Sequence, residues 1–588
     1  MKPSSIPTRG TFVRPYRTKP NGKCDNIMPC PSAARSGSRI IIEALGRAGV
    51  NVVFGYPGGQ IIPLYDALYD SPLKHIITRH EQGAAHAADG YARATGRPGV
   101  VLATSGPGAT NLVTGLATAH MDSVPVVAIT GQVPTTAIGN DAFQEADIYG
   151  ITIPITKYNY LVKEAGRLPE VLAEAFYLAA SGRPGVVLVD VPRDVQTAVL
   201  APPDSVEVNL DGYDPDPVLD EGQVSALVEA LRHCRRPVAY IGGGVSAAGA
   251  EAELFRLITD SDIPVTSTLM AKGAFPDDHP LALGLAGMHG AKYANLAIHE
   301  SDLILCLGAR FDDRVAGNVQ RFAPGARVAH VDIDGAEIDK RVQTHLPLVG
   351  HLKRVLARLL EVVEPVRRPE WLARISELKA RHPLILPADE DGAIRPQSLI
   401  RAVGRAAGDE AIMVTDVGQH QMWAAQWIVS RRPRHFLSSG GLGTMGYGLP
   451  AALGAQVGRP EARVVLITGD GSFQMNIQEL ATIRENNLPV KVVIVNNGCL
   501  GMVRQWQEFF YHRRYSQTVW NFMPDFAAIA GGYGIPGRRI SEPGEVAPAV
   551  EQLINTPGPG LLDCRVVMEE NVLPMIPAGG GQNEFYEA

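Results

Sequence analysis

Two short clusters late in the chain combine residue types suited to holding a metal ion and a diphosphate: Gly469-Asp470-Gly471 and Asn496-Asn497. Each follows a run that reads as a buried strand, over 463–468 and 490–495, and the stretch between reads as one helix over about 476–487. In a right-handed βαβ crossover, neighbouring parallel strands open at the same sheet edge, so Asp470 and Asn497 are expected to converge there. A carboxylate with a neutral amide oxygen is hard, oxygen-only chemistry, suited to Mg²⁺ that completes its octahedron with phosphate and water. Gly469 and Gly471 let the backbone approach a diphosphate, and the helix behind Ser472 offers free N–H groups to it. Alone, Gly-Asp-Gly is an ordinary turn. Its pairing with Asn-Asn on the next strand, at the same edge, makes a Mg-diphosphate site the reading.

Other residues leave two readings open. Glu81 follows a strand over 75–78 at a helix start, where a carboxylate could cap the helix or do chemistry. Met445 sits in the Gly-rich run 440–448 and could be core packing or a shaped contact. His420, after a strand over 412–415, could be structural or a ligand-contacting residue. Trp506 lies one helical turn after Met502, which puts both on one face. Gly242-Gly243-Gly244 with Ala247 follows a strand and gives only a loose dinucleotide-type pattern.

The elements that must position these residues alternate helix and strand through the chain. Helices over 39–48, 61–68, 83–95 and 109–120 alternate with strands over 52–54, 75–78, 99–104 and 124–130, which is the grammar of a parallel sheet covered on both faces. A Pro-rich, acidic stretch at 201–217 breaks the rhythm and reads as a linker. A second α/β block follows, with a helix over 223–231, strands over 237–241, 303–307 and 327–331, and a last helix near 352–362. A second linker, over about 365–395, brackets one helix, and a third block starts at Gln397. The fold class expected is α/β, three doubly wound parallel-sheet domains in series, at 37–200, 218–364 and 395–575. Residues 1–36 are basic and Pro-rich and read as a disordered tail or an over-extended start, with Met28 an alternative initiator and an organelle-targeting segment the weaker alternative.

Composition narrows the class. The chain has 588 residues, 45% hydrophobic and 20% charged, with a formal net charge of −7, which describes a globular protein with no pull toward nucleic acid. No apolar run approaches the roughly 20 residues of a membrane span. The six cysteines (Cys24, Cys30, Cys234, Cys306, Cys499 and Cys564) are spread through the chain and form no C-x-x-C pair, so neither a zinc site nor a disulfide framework is indicated, which fits a reducing, cytoplasmic compartment.

The Gly-Asp-Gly to Asn-Asn pattern resembles the cofactor motif of the thiamine-diphosphate enzymes. Further segments are similar to one branch of them, the acetohydroxyacid synthases: Phe54-Gly55-Tyr56-Pro57-Gly58-Gly59, Arg79-His80-Glu81-Gln82-Gly83, Thr104-Ser105-Gly106-Pro107-Gly108, Ala142-Phe143-Gln144-Glu145, Arg310-Phe311-Asp312-Asp313-Arg314, residues 440–448 and Gly501-Met502-Val503-Arg504-Gln505-Trp506. The resemblance covers about residues 37–575. It implies a pyrimidine-binding domain, a central FAD-binding domain and a diphosphate-binding domain. The activity it implies is decarboxylation of pyruvate and condensation of the two-carbon unit with pyruvate or 2-ketobutyrate, the first common step of branched-chain amino acid biosynthesis.

The same resemblance implies roles. Glu81, Gln144, Met445 and Trp506 would be catalytic, with Glu81 hydrogen-bonding the cofactor's aminopyrimidine and Met445 bending the cofactor. Gly418, Gln419, His420, Gly443, Gly471, Ser472, Gly501 and Met502 would also contact thiamine diphosphate. Asp470, Asn497 and the Cys499 carbonyl would hold Mg²⁺; Gly498-Cys499 departs from the polar pair many relatives carry, which a carbonyl ligand tolerates. FAD would meet Arg183, Gly242, Gly243, His289, Gly308, Arg310, Asp312, Arg314, Asp332 and Asp334, and would be structural. Phe143, Arg193, Arg314, Met502 and Trp506 would line the substrate pocket. The partners implied are a second copy, with the active site between subunits, and a small regulatory subunit. Glu81 counts against the glyoxylate carboligases, the Arg310–Arg314 and Gly501–Trp506 runs count against pyruvate oxidase, and Glu81 with Asp470 counts against a non-catalytic subunit.

Overall fold

Short apolar runs, most of them buried on both sides, build three sheets of six parallel strands each in this computed structural model, which describes residues 34–201, 203, 205–388 and 392–586. The first sheet runs, in spatial order, Lys74–Ile77, Val52–Gly55, Gly99–Ala103, Val126–Gln132, Val186–Pro192 and Tyr158–Leu161. The middle sheet runs Ala282–Leu285, Val265–Ser267, Pro237–Ile241, Leu303–Leu307, Arg327–Asp332 and Leu346–Val349. The third runs Phe436–Leu437, Ile412–Thr415, Val464–Gly469, Lys491–Asn496, Gly560–Arg565 and Gly537–Ile540. Helices cover both faces of each sheet, as the α/β reading requires. No helix among the described residues is long and apolar enough to cross a membrane.

The first and third blocks share one hydrophobic core. It forms where the helix Glu81–Thr95 crosses the helix Gly448–Gly458. Both are rich in Ala and Gly because the backbones touch: a Cβ added to Gly90 would run into Ala451, and one on Gly454 into Ala87. The helix that carries Glu81 at its start is thereby anchored on the block that carries Asp470.

Some elements differ from the sequence reading. Residues 1–33 lie outside the described residues, but Arg35–Ser36 pairs with Val199–Leu200, so the fold begins before residue 37. The expected helix over 109–120 is two, Pro107–Thr110 and Val113–Met121. The expected helix over 476–487 is shorter, Glu479–Glu485, and a separate helical turn, Asp470–Gln474, precedes it, with Asn476 between them donating its amide to the Gly446 carbonyl at 2.7 Å. The helix Pro369–Arg381 looked like part of a linker because prolines and charges flank it, yet it docks on the middle sheet. Its Trp371, Ile375 and Leu378 are buried, and the Trp371 indole donates to the Pro237 carbonyl at 2.9 Å. The segment after residue 575 also packs back, with Met575 bridging to Tyr586 and Glu584 pairing with Arg321 of the middle block.

One buried carboxyl makes stability pH-dependent. Asp190, on the buried strand Val186–Pro192, accepts from the Thr130 hydroxyl at 2.6 Å and the Gln132 amide at 2.9 Å, and burial pushes its pKa up to about 7. A raised folded-state value means that the folded form holds the proton more tightly than the unfolded chain, so the stability this gives is full below about pH 4 and lost as pH rises to about 7. An asparagine at 190 can donate to Thr130 and still accept from Gln132. Asp190→Asn is therefore expected to stabilise the protein above pH 7, by on the order of 3 kcal/mol, and to have little effect near pH 4. Thermal unfolding of both proteins across pH 4–8 checks this.

Candidate active site

Gly469 pairs with Val495 in the parallel ladder, so Asp470 and Asn497 leave adjacent strands at the same edge, as the spacing predicted. Asp470 is buried; one carboxylate oxygen accepts from its neighbour Gly471 N–H at 2.8 Å and the other from Gly498 N–H at 2.9 Å. Each oxygen keeps a lone pair for a cation. Burial raises the Asp470 carboxyl to about 7, with those two N–H groups pulling it back down. Asn497 donates to the Gln419 side-chain oxygen at 3.2 Å and accepts from Cys499 N–H at 3.2 Å. The Cys499 thiol, pushed up to about 12 by burial, is not a ligand candidate, while its carbonyl lies at the same strand end. Among the described residues no three His, Cys, Asp or Glu side chains are grouped to hold a metal by themselves. One carboxylate with neutral oxygens instead suits an ion that brings phosphate and water with it.

The cleft around Asp470 is lined by Gly418, Gln419, His420, Met445, Gly471, Ser472, Asn497, Cys499, Gly501 and Met502, which unites most of the residues expected at the cofactor. Its walls leave no room for larger residues: a Cβ on Gly469 would stand 2.9 Å from the His420 ring, and one on Gly471 3.0 Å from Leu500. His420 is buried with Nε2 unpartnered, and burial lowers its pKa to about 3, so the ring is neutral near pH 7. An orphaned imidazole nitrogen lining the cleft fits a bound ligand or its water that would complete it. Gly443 has a left-handed φ of 66° in the nearby Gly-rich run but does not line the cleft. The helix at Asp470–Gln474 is a single turn, so close glycines and side chains, more than a helix dipole, make this cradle.

Gly501 tests how tight the cradle is. A Cβ there would collide with the Gln419 oxygen and come within 2.5 Å of the Asn497 amide. Gly501→Ala is expected to raise the half-saturating concentrations of Mg²⁺ and thiamine diphosphate by about tenfold or more, as the loss of supporting contacts around a metal does. Titration of both with an unchanged melting profile checks it.

Glu81 lies elsewhere. It opens the helix Glu81–Thr95 behind His80, whose ring accepts from Gln82 N–H, and its carboxylate accepts from Asn111 at 3.0 Å. Gly108 faces it, since a Cβ there would be 3.3 Å from Glu81 Oε1. Gln144 is near, in a left-handed conformation with φ 59° and its carbonyl against Gly106. Phe143 is 84% exposed and Arg193 is exposed, and neither lines the Asp470 cleft. No first-block residue lines the Asp470 cleft. Within one chain the sequence-predicted site is thus two halves.

Beside the Asp470 cleft, Arg314, Met502 and Trp506 line one open cavity of about 770 Å³, with Trp506 edge-on to Phe510. A separate cleft of about 420 Å³, between the first and middle blocks, gathers Arg183, Gly242, Gly243, Gly308, Arg310, Asp312 and Asp332. The glycines there serve a close approach, because a Cβ on Gly242 would meet the Gly308 carbonyl and Gly308 itself needs φ 56°. Of the other residues expected at FAD, Asp334 pairs with Arg183 at 2.9 Å and lines the adjoining cavity, His289 is buried outside the cleft, and Arg314 belongs to the Trp506 cavity. Sequence reasoning missed Asp416, a buried carboxylate that accepts from Gly446 and Gly448 N–H at 2.9 and 3.1 Å and so fixes the loop of Met445. Its position just past the strand Ile412–Thr415 was the available signal.

Comparison with known proteins agrees with this layout. Three models of thiamine pyrophosphate (thiamine diphosphate) enzymes match: the N-terminal TPP binding domain over 35–151, the central domain over 224–359 and the C-terminal TPP binding domain over 416–564. The chain is 49% identical to a probable acetolactate synthase large subunit of Methanocaldococcus jannaschii over 556 residues, 92% of this chain and 94% of that protein. It is 47% identical to the acetolactate synthase isozyme 2 large subunit of Escherichia coli K12 over 552 residues, 94% of this chain and 99% of that one. The chain belongs to the acetolactate synthase family. This is the family called acetohydroxyacid synthases in the sequence reading, so the enzyme class and the three-block fold expected there hold. The two TPP binding domain models fall on the blocks that carry Glu81 and Asp470, which supports thiamine diphosphate as the cofactor. Relatives in the family are named large subunits.

Proposed function

We propose that the chain decarboxylates pyruvate with thiamine diphosphate and joins the two-carbon unit to a second 2-keto acid. Pyruvate as acceptor gives 2-acetolactate and 2-ketobutyrate gives 2-aceto-2-hydroxybutyrate, the first common step toward the branched-chain amino acids. The observation that carries this reading is the Asp470 cleft with its orphaned His420 nitrogen, together with the Glu81–Asn111 pair, in a chain of this family. Bound thiamine diphosphate would supply the electron sink for decarboxylation. Asp470, Asn497 and the Cys499 carbonyl would hold Mg²⁺ against its diphosphate, with the neutral His420 ring beside them adding no charge. Glu81 would hold and exchange a proton with the aminopyrimidine, and Met445 would set the shape of the cleft. Arg314 offers a guanidinium to the carboxylate of the acceptor acid beside Met502 and Trp506, and Phe143, Gln144 and Arg193 would close over it.

Because Glu81 stands outside the Asp470 cleft of its own chain, a homodimer in which the first block of a second copy completes each cleft accounts for both halves. The cleft between first and middle blocks fits FAD as a structural group, with Arg183 and the glycines at its walls. A small regulatory subunit is the further partner, and the unpaired cysteines at 234, 306, 499 and 564 fit the cytoplasm.

A competition between equal pyruvate and 2-ketobutyrate tests the reading. Native protein is expected to favour 2-aceto-2-hydroxybutyrate, and Trp506→Leu to lower the product ratio by about tenfold or more, the scale of a lost apolar pocket contact. Absence of both products, or an unchanged ratio, would count against the assignment of chemistry or of Trp506 respectively.

A further inference from the structure

The segment 438–448 of the third block is held by first-block side chains at several points. Asp122, fully buried at the end of the helix Val113–Met121, accepts from Gly440 N–H at 3.1 Å and Gly441 N–H at 2.7 Å. The same carboxylate accepts from Arg93 at 2.8 Å, and Arg93 also donates to the Ser438 carbonyl at 2.9 Å and to Asp89. Asp89 accepts from the Tyr447 hydroxyl at 2.9 Å, and the Thr118 and Thr444 hydroxyls meet at 2.6 Å. Four anchors thus surround Met445.

Two clefts share this segment. Met445 lines the Asp470 cleft, whereas Asp122, Gly440 and Gly441 line the cleft between first and middle blocks. Gly441 is wedged in place, since a Cβ there would collide with Met121 and stand 2.8 Å from Asp122 and 3.0 Å from Arg310. The run has little freedom to shift at one end without moving the other, because one end is held on the Asp122 carboxylate and the other on the buried Asp89 carboxylate, which Arg93 ties together.

We propose that Asp122 is a positioning residue that couples the two clefts: by holding Gly440 and Gly441 it makes occupancy of the flavin cleft and the placing of Met445 against thiamine diphosphate mutually supportive. The proposal rests on the FAD reading of the second cleft. It predicts a reciprocal effect, in which each cofactor tightens the other without touching it.

The test is a flavin absorbance titration of the full chain with FAD, with and without saturating Mg²⁺ and thiamine diphosphate. Native protein is expected to bind FAD about fivefold more tightly when thiamine diphosphate is present, the low end of ordinary allosteric coupling. In Asp122→Asn, which removes the charge but keeps the shape, the ratio should fall to about one. That ratio separates coupling from any direct contact of Asp122 with the dinucleotide. Thr118→Val, which removes the contact to Thr444 together with a bond inside its own helix to the Thr114 carbonyl, should roughly halve the ratio and carries the test if the first variant does not fold. A native ratio of one, or an undiminished ratio in the variants, overturns the proposal; a native protein that binds no FAD at all overturns the FAD reading beneath it.

Discussion

Glu81→Gln is expected to lower kcat by about 10²- to 10⁴-fold, the usual worth of a positioned acid-base group, with unfolding temperature nearly unchanged. The side chain belongs to the first residue of the helix Glu81–Thr95. A glutamine oxygen can still accept from Asn111, so the local hydrogen bond and the helix survive while the exchangeable proton site is lost. Measured together, kcat and melting temperature separate this role from capping. A cap-only residue would shift stability by about 1 kcal/mol and leave turnover nearly intact.

Asp470→Ala should abolish cofactor loading. The substitution removes the one carboxylate that lines the cleft among the described residues and strips the acceptors from the Gly471 and Gly498 N–H groups. Loss of the ion's charged ligand, on the scale of about 2–5 kcal/mol for truncating one partner of a buried charge pair, corresponds to roughly 10²- to 10³-fold weaker binding of Mg²⁺ with thiamine diphosphate. Trp520 supplies the readout: its ring lies 3.5 Å from where a Cβ on Gly471 would stand, so its fluorescence should change when the native cleft fills and stay constant in the variant. Retained quenching at native cofactor concentrations would remove Asp470 from the metal site.

Much of this site was legible because parallel-sheet topology is simple. Strand-end positions such as Asp470 and Asn497 follow from spacing once the strands are recognised, and the ladder between Gly469 and Val495 places them as expected. Less legible was anything that depends on long-range packing. Asp122, Asp89 and Arg93 look like ordinary helix-surface charges in sequence, yet they are buried between blocks, with partners more than 300 residues away. The helix Pro369–Arg381 was obscured for a similar reason, since its apolar stripe at Trp371, Ile375 and Leu378 has meaning only against the middle sheet. The loose glycine pattern at 242–244 gained weight only when the fold set it against Gly308.

The most direct measurement is the product formed by the full chain from pyruvate alone, with Mg²⁺, thiamine diphosphate and FAD supplied. Acetolactate with one CO₂ released for every two pyruvates consumed is the predicted result. Acetaldehyde, acetate or acetyl phosphate as the main product would contradict it, since the Arg314–Met502–Trp506 cavity would then not be receiving a second keto acid.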